Sequence, residues 1–583
     1  MPGPRDASAP LTVAVTGAGG SGAVTAGLIL LEAVAAAGLY GLLRRSAGPQ
    51  IRGGESAALL RFGPEPVHCA GDRCDLLAAL DWANHERFAD EIPLDAGSLV
   101  LADPATGPPP AAVVESDTRL REMGFSSSAA ERDGGRANMV AVGAAGALAG
   151  LPLAALLDAA GRTLADKGQA VVDAARACIR SGHALAKPED RLREPVPPPP
   201  AVPQRWHING NEAAGLGALR AGVRFVAAYP ITPASEMLEW LAPRLERLGG
   251  TLLQAEDELA SVNMLIGSAF GGVPALTATS GPGLSLMLEG IGLAVASETP
   301  IVVVDVMRGG PSTGIPTKSE QSDLNAALYG LHGDAPHLVL AALGIADCAH
   351  TVAWAVQLAW QLQTAAIVLS DQSLGQSRMV GEPAPATVPP VHHAAPGDDG
   401  PFRRYSVTED GVSPMSVPGE TGLAYTADGL EHDPAGAPSS RAADHAAQLD
   451  KRRHKLLAHD YGPDWAEITG AADAELCLVT VGACRGAVVE AAERLSEAGR
   501  AVRTVALRLL APLKRQALLD AVGGARVLVV EQNHGAQLFH YLLAEQALPE
   551  AARALARPGP LPLRPGEIAA AAAALMDPDG GSP

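Results

Sequence analysis

Short apolar runs rich in β-branched residues alternate with longer Ala-rich stretches along most of the chain. "LTVAV", "RFVAAYP", "PALTAT", "PIVVVDV", "TAAIVLSD", "ELCLVTV", "AVRTVAL" and "ARVLVVEQ" are runs of the first kind. Continuous apolar strands separated by helical segments mark parallel sheets covered by helices. The pattern predicts an α/β fold of three units, residues 8–186, 205–385 and 466–560. Between the first two, "KPEDRLREPVPPPPAVPQ", residues 187–204, passes from charge into a proline run that should be extended and semi-rigid. Residues 386–465 are rich in Pro, Gly, Asp and His with little periodicity, and read as a long connector ordered by its contacts.

Two Ala-rich stretches, residues 23–38 and 139–161, approach membrane-spanning length, but Glu32 interrupts the first and several Gly with Pro152 break the second. Both are expected to be buried helices. A chain of 583 residues exceeds what one hydrophobic core supports, so several domains are expected. The net charge of -20 and pI near 5.2 argue against a nucleic-acid or anionic-membrane partner. The one basic run, "DKRRHK" at residues 450–455, reads as a solvated helix face. Cys69, Cys74, Cys178, Cys348, Cys477 and Cys484 form no CxxC pair, which suggests neither a disulfide framework nor a cluster site. The start, "MPGPRDASAPLTVAV", lacks the basic and apolar regions of a secretion signal, so a reducing, cytoplasmic location is expected.

"LTVAVTGAGGSGAVTAGLILLEAV" puts Gly17, Gly19, Gly20 and Gly22 between a strand and an apolar helix, where glycines permit a tight turn and bring backbone donors to a phosphate. Gly17, Gly19 and Gly22 fit GxGxxG. A nicotinamide site also wants an acid ending the next strand, and "LYGLLRRSAGPQIRGGES" offers two arginines instead. Together with "SAGPQIRGGES" (46–56) and "RANMVAVGAAGALAGLPL", the segment resembles the gamma domain of 2-oxoacid:ferredoxin oxidoreductases. Ser21 and Ala47 depart from it, standing where Gln and an aromatic are common. The resemblance implies a Rossmann-like domain near the coenzyme A site, with Gly19, Gly20, Gly22 and Arg52 as possible coenzyme A-side residues. A packing and subunit-contact domain is the alternative.

In the second unit a strand ends in Tyr229, Pro230, Ile231, Thr232 and Pro233, and two prolines around a Thr constrain the backbone at the sheet edge where α/β folds bind ligands. Further on, an acidic cluster, Glu256, Asp257 and Glu258, meets the start of a helix, where acids are ordinarily caps. "TATSGPGLSLM" (277–287) is a glycine turn opening another helix, and Arg308 ends the strand "PIVVVDVM" before a Gly-rich loop. An Arg there can clamp a carboxylate bidentately.

"YPITPASE", "DELASVNMLIGSAFGG", "TATSGPG" and "RGGPSTGIPTKSEQSDL" resemble the alpha subunit of 2-oxoglutarate-type 2-oxoacid:ferredoxin oxidoreductases. The resemblance implies a thiamine-diphosphate pyrimidine-binding domain at 205–385, with Tyr229, Pro230, Ile231, Thr232, Glu258, Ser280 and Gly281 facing the cofactor. In thiamine enzymes a Glu hydrogen-bonds the pyrimidine nitrogen and promotes the tautomer that deprotonates the thiazolium. The family pattern favours Glu258 for this, then Glu256, with Asp257 fitting least; Thr232 lies over substrate and Arg308 meets the 2-oxoacid carboxylate.

A complete thiamine enzyme also needs Gly-Asp-Gly for its metal-held diphosphate, and no such triplet occurs here. The diphosphate site, Mg2+ and a [4Fe-4S] cluster are therefore expected on a beta subunit in an (alpha-beta)2 heterotetramer, with ferredoxin or a similar acceptor and coenzyme A as co-substrate. "ELCLVTVGACRGAVVEAAERLSEAGRAVRTVALRLLAPL" with "ARVLVVEQNHGAQL" resembles the transketolase carboxyl-terminal domain, and its Glu531, Gln532 and Asn533 are expected to serve packing first. The implied activity is oxidative decarboxylation of a 2-oxoacid, 2-oxoglutarate first, to acyl-CoA and CO2. Pyruvate, branched-chain or aryl oxoacids, a nicotinamide-dependent dehydrogenase subunit, and a non-catalytic assembly subunit are the alternatives.

Overall fold

A computed structural model describes residues 9–48, 56–83, 85–130, 132–197, 199, 201, 204–385, 391 and 401–577. The chain divides into two compact units: Met1–Ile208 with Gln376–Pro383, and Asn209–Gly375 with Ala384–Pro583.

The first unit is built on an eight-stranded mixed sheet, in the order Arg119–Glu122, Leu99–Ala102, Leu76–Ala79, Leu11–Gly17, Ser56–Gly63, Tyr40–Ala47, Arg378–Gly381, Trp206–Asn209. Period-two alternation splits the central strand between two cores. Leu11, Val13 and Val15 face the helices Ala23–Ala36 and Ala137–Leu148, while Ala14 joins Leu77, Phe88 and Val100 on the opposite face. The strand after the glycine-loop helix, Tyr40–Ala47, runs antiparallel to Ser56–Gly63 and does not lie beside Leu11–Gly17. The parallel βαβ pair of a dinucleotide fold is thus not formed, which removes the geometric basis for a nicotinamide reading. Helices Ala137–Leu148 and Gln169–Leu185 cross in close contact because glycines meet there: a Cβ at Gly182 would stand 1.9 Å from the Val140 carbonyl oxygen. The apolar stretches near residues 23 and 139 are buried helices, as their composition requires.

Arg378–Gly381 falls within the span expected for the second unit, yet it pairs antiparallel with Tyr40–Ala47 of the first. A four-residue strand carries too weak a pattern to declare its sheet, and pairing at an open edge decides it.

The second unit holds two sheets. One has seven strands in the order Leu509–Ala511, Leu338–Ala341, Ala365–Asp371, Ile301–Met307, Ala275–Thr279, Phe225–Ala228, Thr251–Gln254, all parallel but the first. The other has five: Ala466–Gly470, Val502–Leu507, Leu476–Val481, Arg526–Glu531, Arg553–Ala556. Arg508 separates Val502–Leu507 of the five-stranded sheet from Leu509–Ala511 of the seven-stranded one, and its guanidinium holds Asp347 at 2.8 Å and the Asp464 carbonyl at 2.7 Å.

The connector carries one long helix, Ala442–Ala458, and the basic run lies on it. Only half of it is a solvated face: Asp450, Arg453 and His454 are exposed, the other three residues are not. Lys451, Arg452 and Lys455 are 2%, 6% and 2% exposed. Lys451 and Lys455 reach the two oxygens of Glu298 at 2.6 and 2.8 Å, and Arg452 pairs with Glu431. The clustered charge reflects buried counter-ions from segments distant in sequence, which no local pattern reveals. Among the described residues no helix is long and apolar enough to cross a membrane.

Candidate active site

Four neighbouring strands of the seven-stranded sheet are parallel, so the segments that follow them emerge at one carboxyl edge. Phe225–Ala228 delivers Tyr229–Pro233, Thr251–Gln254 delivers the acidic cluster, Ala275–Thr279 delivers Ser280–Gly283, and Ile301–Met307 delivers Arg308. Sequence motifs dozens of residues apart are thereby brought together.

The three acids separate by environment. Glu256 is exposed, whereas Asp257 is the N-cap of helix Glu258–Phe270 and accepts from the Ala260 amide at 2.7 Å. Its role is thus the ordinary one for an acid at a helix start. Glu258 is the first residue of that helix and is only 5% exposed. Its carboxylate lies in the cradle left by Gly283: a Cβ there would meet Glu258 Oε1 at 2.7 Å and Thr279 Oγ1 at 2.0 Å. The Ser280 and Thr277 hydroxyls nearby are buried without partners. A dry carboxylate with unfilled hydroxyls around it fits a heteroaromatic ring bearing ring-nitrogen and amino groups, as the thiamine pyrimidine does.

Tyr229 is 43% exposed, Pro230 is exposed, and Ile231 and Thr232 are half-buried. Buried Asn211 holds this loop through the Pro233 carbonyl at 3.0 Å. Arg308, 7% exposed, donates to the Thr232 carbonyl at 2.5 Å, while its Nε is buried and unpartnered. Burial lowers the Arg308 pKa, and nearby Asp323 opposes that shift.

Two further acids belong to this edge and were not anticipated. Asp305, on strand Ile301–Met307, is fully buried, with both carboxylate oxygens unpartnered. Burial and then Asp323 push its pKa well up. Asp323 lies at the end of the loop after Arg308, against Gly281, whose Cβ would stand 2.6 Å from Oδ2. Burial, then Glu320, raise its pKa to about 6, with Arg308 opposing. The available signal was an acid inside the apolar run "PIVVVDVM".

The last sheet supports this edge. Asn533 donates to the Gln321 carbonyl at 3.2 Å, and Gln537 to the Ser322 carbonyl at 2.8 Å. Glu531 receives the Leu538 and Phe539 amides at 2.8 and 2.9 Å, at the start of helix Gln537–Ala544. The Gln532 backbone amide donates to the Gln321 side-chain oxygen at 3.0 Å.

In the first unit a cavity of about 600 Å³ opens at the amino end of helix Ala23–Ala36. Gly20, Gly22, Ser56, Arg136, Asn138 and Lys167 are among its lining residues. Gly22 caps the helix with φ +86°, a conformation glycine adopts freely. Asn138, 3% exposed, donates to the Gly22 carbonyl at 3.1 Å and keeps Oδ1 unpartnered. Gly19 is exposed and does not line the cavity as Gly20 and Gly22 do; Arg52 lies outside the described residues. Arg136 and Lys167 were not singled out from sequence, although Arg136 opens the "RANMV" segment.

Residues 216–451 match the family described as "Pyruvate flavodoxin/ferredoxin oxidoreductase, thiamine diP-bdg", and residues 12–185 match "Pyruvate ferredoxin/flavodoxin oxidoreductase". The 2-oxoacid:ferredoxin oxidoreductase subunit alpha of Saccharolobus solfataricus is 33% identical over 363 residues, which are 59% of this chain and 57% of that protein. The 2-oxoglutarate synthase subunit KorA of Methanothermobacter thermautotrophicus is 34% identical over 58% of this chain and 90% of its own length. The matches thus span little more than half of some relatives and nearly all of others. The solved 2-oxoglutarate:ferredoxin oxidoreductase from Magnetococcus marinus, with 2-oxoglutarate, coenzyme A and succinyl-CoA bound, superposes with a TM-score of 0.90. It is 34% identical, and the match covers 97% of this chain and 99% of that one. The chain belongs to the 2-oxoacid:ferredoxin oxidoreductase family, and residues 216–451 are its thiamine-diphosphate-binding domain.

Proposed function

We propose that this chain is the cofactor-activating and substrate-anchoring half of a 2-oxoacid:ferredoxin oxidoreductase that converts 2-oxoglutarate, with coenzyme A, to succinyl-CoA and CO2. The observation that carries this reading is Glu258, a buried carboxylate cradled by Gly283 while its neighbour Asp257 takes the capping role. Thiamine diphosphate, when bound, supplies the carbon nucleophile and electron sink that let a 2-oxoacid lose CO2. Glu258 would hold the proton at the pyrimidine ring nitrogen from a dry site, where a hydrogen bond to a charged group is strong. Ser280 and Gly281 would line the ring, and the loop from Tyr229 to Thr232 would lie over the reacting carbon.

Arg308 spends one nitrogen on the Thr232 carbonyl, so anchor and loop move as one piece. Its remaining donors would take the substrate carboxylate. The names of the relatives, alpha subunits in several cases, support a beta partner carrying the diphosphate site, Mg2+ and a [4Fe-4S] cluster. An (alpha-beta)2 assembly in the cytoplasm, reducing ferredoxin, is the arrangement we expect. The cavity at the glycine loop suits the phosphates of coenzyme A, since a helix amino end, Arg136 and Lys167 converge on it.

The test is Glu258→Gln in the alpha-beta complex. Turnover should fall by about 10² to 10⁴, the span of general acid–base contributions, while assembly and 2-oxoglutarate binding persist. Undiminished turnover would reduce the chain to an assembly subunit.

A further inference from the structure

Asp305 and Asp323 are two acids at this edge that the proposed reaction leaves unused, beside Glu320 in the same loop as Asp323 and Asp371 at the end of the strand Ala365–Asp371. Both oxygens of Asp305 and Oδ2 of Asp323 are buried without hydrogen-bond partners, as are the hydroxyls of Thr277, Ser280 and Ser322. Such a set is costly unless a carboxyl group is neutral or something arrives to complete it. Asp323 is faced by Asp305 and Arg308 from the strand Ile301–Met307 and its end, and by Glu320 from its own loop. Across the first turn of helix Gly281–Ala296, Glu258 lies against Gly283 as Asp323 lies against Gly281.

Asp323 has little freedom to leave. Ser322 is tied to Gln537 at 2.8 Å, the Gln321 side chain donates to the Val481 carbonyl at 3.0 Å, and Asn325 donates through its amide to Gln537 at 2.9 Å. An ionised Asp323 therefore competes with any incoming carboxylate for the field of Arg308, and a protonated one does not.

We propose that Asp323, with Asp305 behind it, is a proton-linked positioning residue: a substrate carboxylate docks at Arg308 together with one proton, which the Asp305–Asp323 pair takes from solvent. The charge balance is simple. The ligand brings one negative charge to the anchor, the proton cancels the one already there, and no bond in the substrate changes. The inference rests on Arg308 being the carboxylate anchor.

Two measurements on the alpha-beta holoenzyme test it. The first is KM and kcat for 2-oxoglutarate from about pH 5.5 to 8.5. For one linked proton, KM should climb toward tenfold per pH unit above about pH 6. In Asp323→Asn that slope should vanish from KM, while kcat keeps its own pH profile. An unchanged slope overturns the inference. The second needs no variant: binding heats of 2-hydroxyglutarate, which has both carboxylates but no keto carbon, in buffers of different ionisation enthalpy. Uptake near one proton per site at neutral pH supports the pair's role, and zero uptake overturns it. Arg308→Gln separates the two levels. If it leaves KM unchanged, the anchor reading falls; if it raises KM while Asp323→Asn keeps the slope, only the proton linkage falls.

Discussion

At the scale of single residues, the site shows one acid type in several conditions set by surroundings alone. Asp257 is half-buried and caps a helix, Glu258 is buried beside a glycine, and Asp323 lies in the fields of Arg308 and Glu320. For Asp323 the environment has a stability consequence whose sign is fixed. Its pKa rises from 3.8 to about 6 on folding, so as pH climbs between those values the unfolded chain releases a proton the folded one retains. Stability is lost over that window, by about 3 kcal/mol at most. Asp323→Asn removes the cost. Urea midpoints should match wild type near pH 4 and exceed it near pH 7.5, and an equal difference at both pH values would refute this account. Glu258 stood out as a candidate in the sequence because its neighbours carry a pattern, and the structure adds its burial. Asp305 was not weighed, since a single acid in "PIVVVDVM" yields no partner until Asp323 is brought to it.

At the scale of elements, the helix Ala442–Ala458 illustrates how a basic run can be internal. Burial by itself would push the Glu298 carboxyl up, but Lys455, Lys451 and Arg404 together hold it well below the usual carboxylate range. Arg404 also donates to the Glu298 carbonyl at 2.8 Å, and Lys455 to that of Gln363 at 2.8 Å. One turn residue thus collects three cations from the connector, and the cluster fastens a segment that has little apolar periodicity of its own. Removing the anion strands buried charge. Glu298→Gln should cost about 3 to 5 kcal/mol, seen as a lower thermal midpoint, and Lys451→Met in that background should recover part of it. A midpoint unmoved by Glu298→Gln would mean the cluster does not secure the connector.

At the scale of the whole molecule, the two compact units carry different chemistry: an anion-suited cavity in the first and a dry carboxylate edge in the second. If coenzyme A uses the first, Arg136→Glu should raise its KM about tenfold or more, in line with loss of a charge-assisted contact. Release of CO2 in the absence of coenzyme A should continue. A coenzyme A KM that does not respond would remove the cavity from the reaction.

Local periodicity and turn chemistry were enough to determine the alternation of strands and helices, the buried nature of the Ala-rich stretches, and the motifs that end at one sheet edge, because these depend on residues close in the chain. Only the tertiary structure decided which of Glu256, Asp257 and Glu258 is buried, that Arg378–Gly381 joins the first sheet, that Lys451 and Lys455 of the basic run are buried on Glu298, and that Asp305 feels the charge of Asp323. Burial, edge pairing and charge proximity are properties of segments far apart in sequence, and their energies exist only once the sheets have brought those segments together.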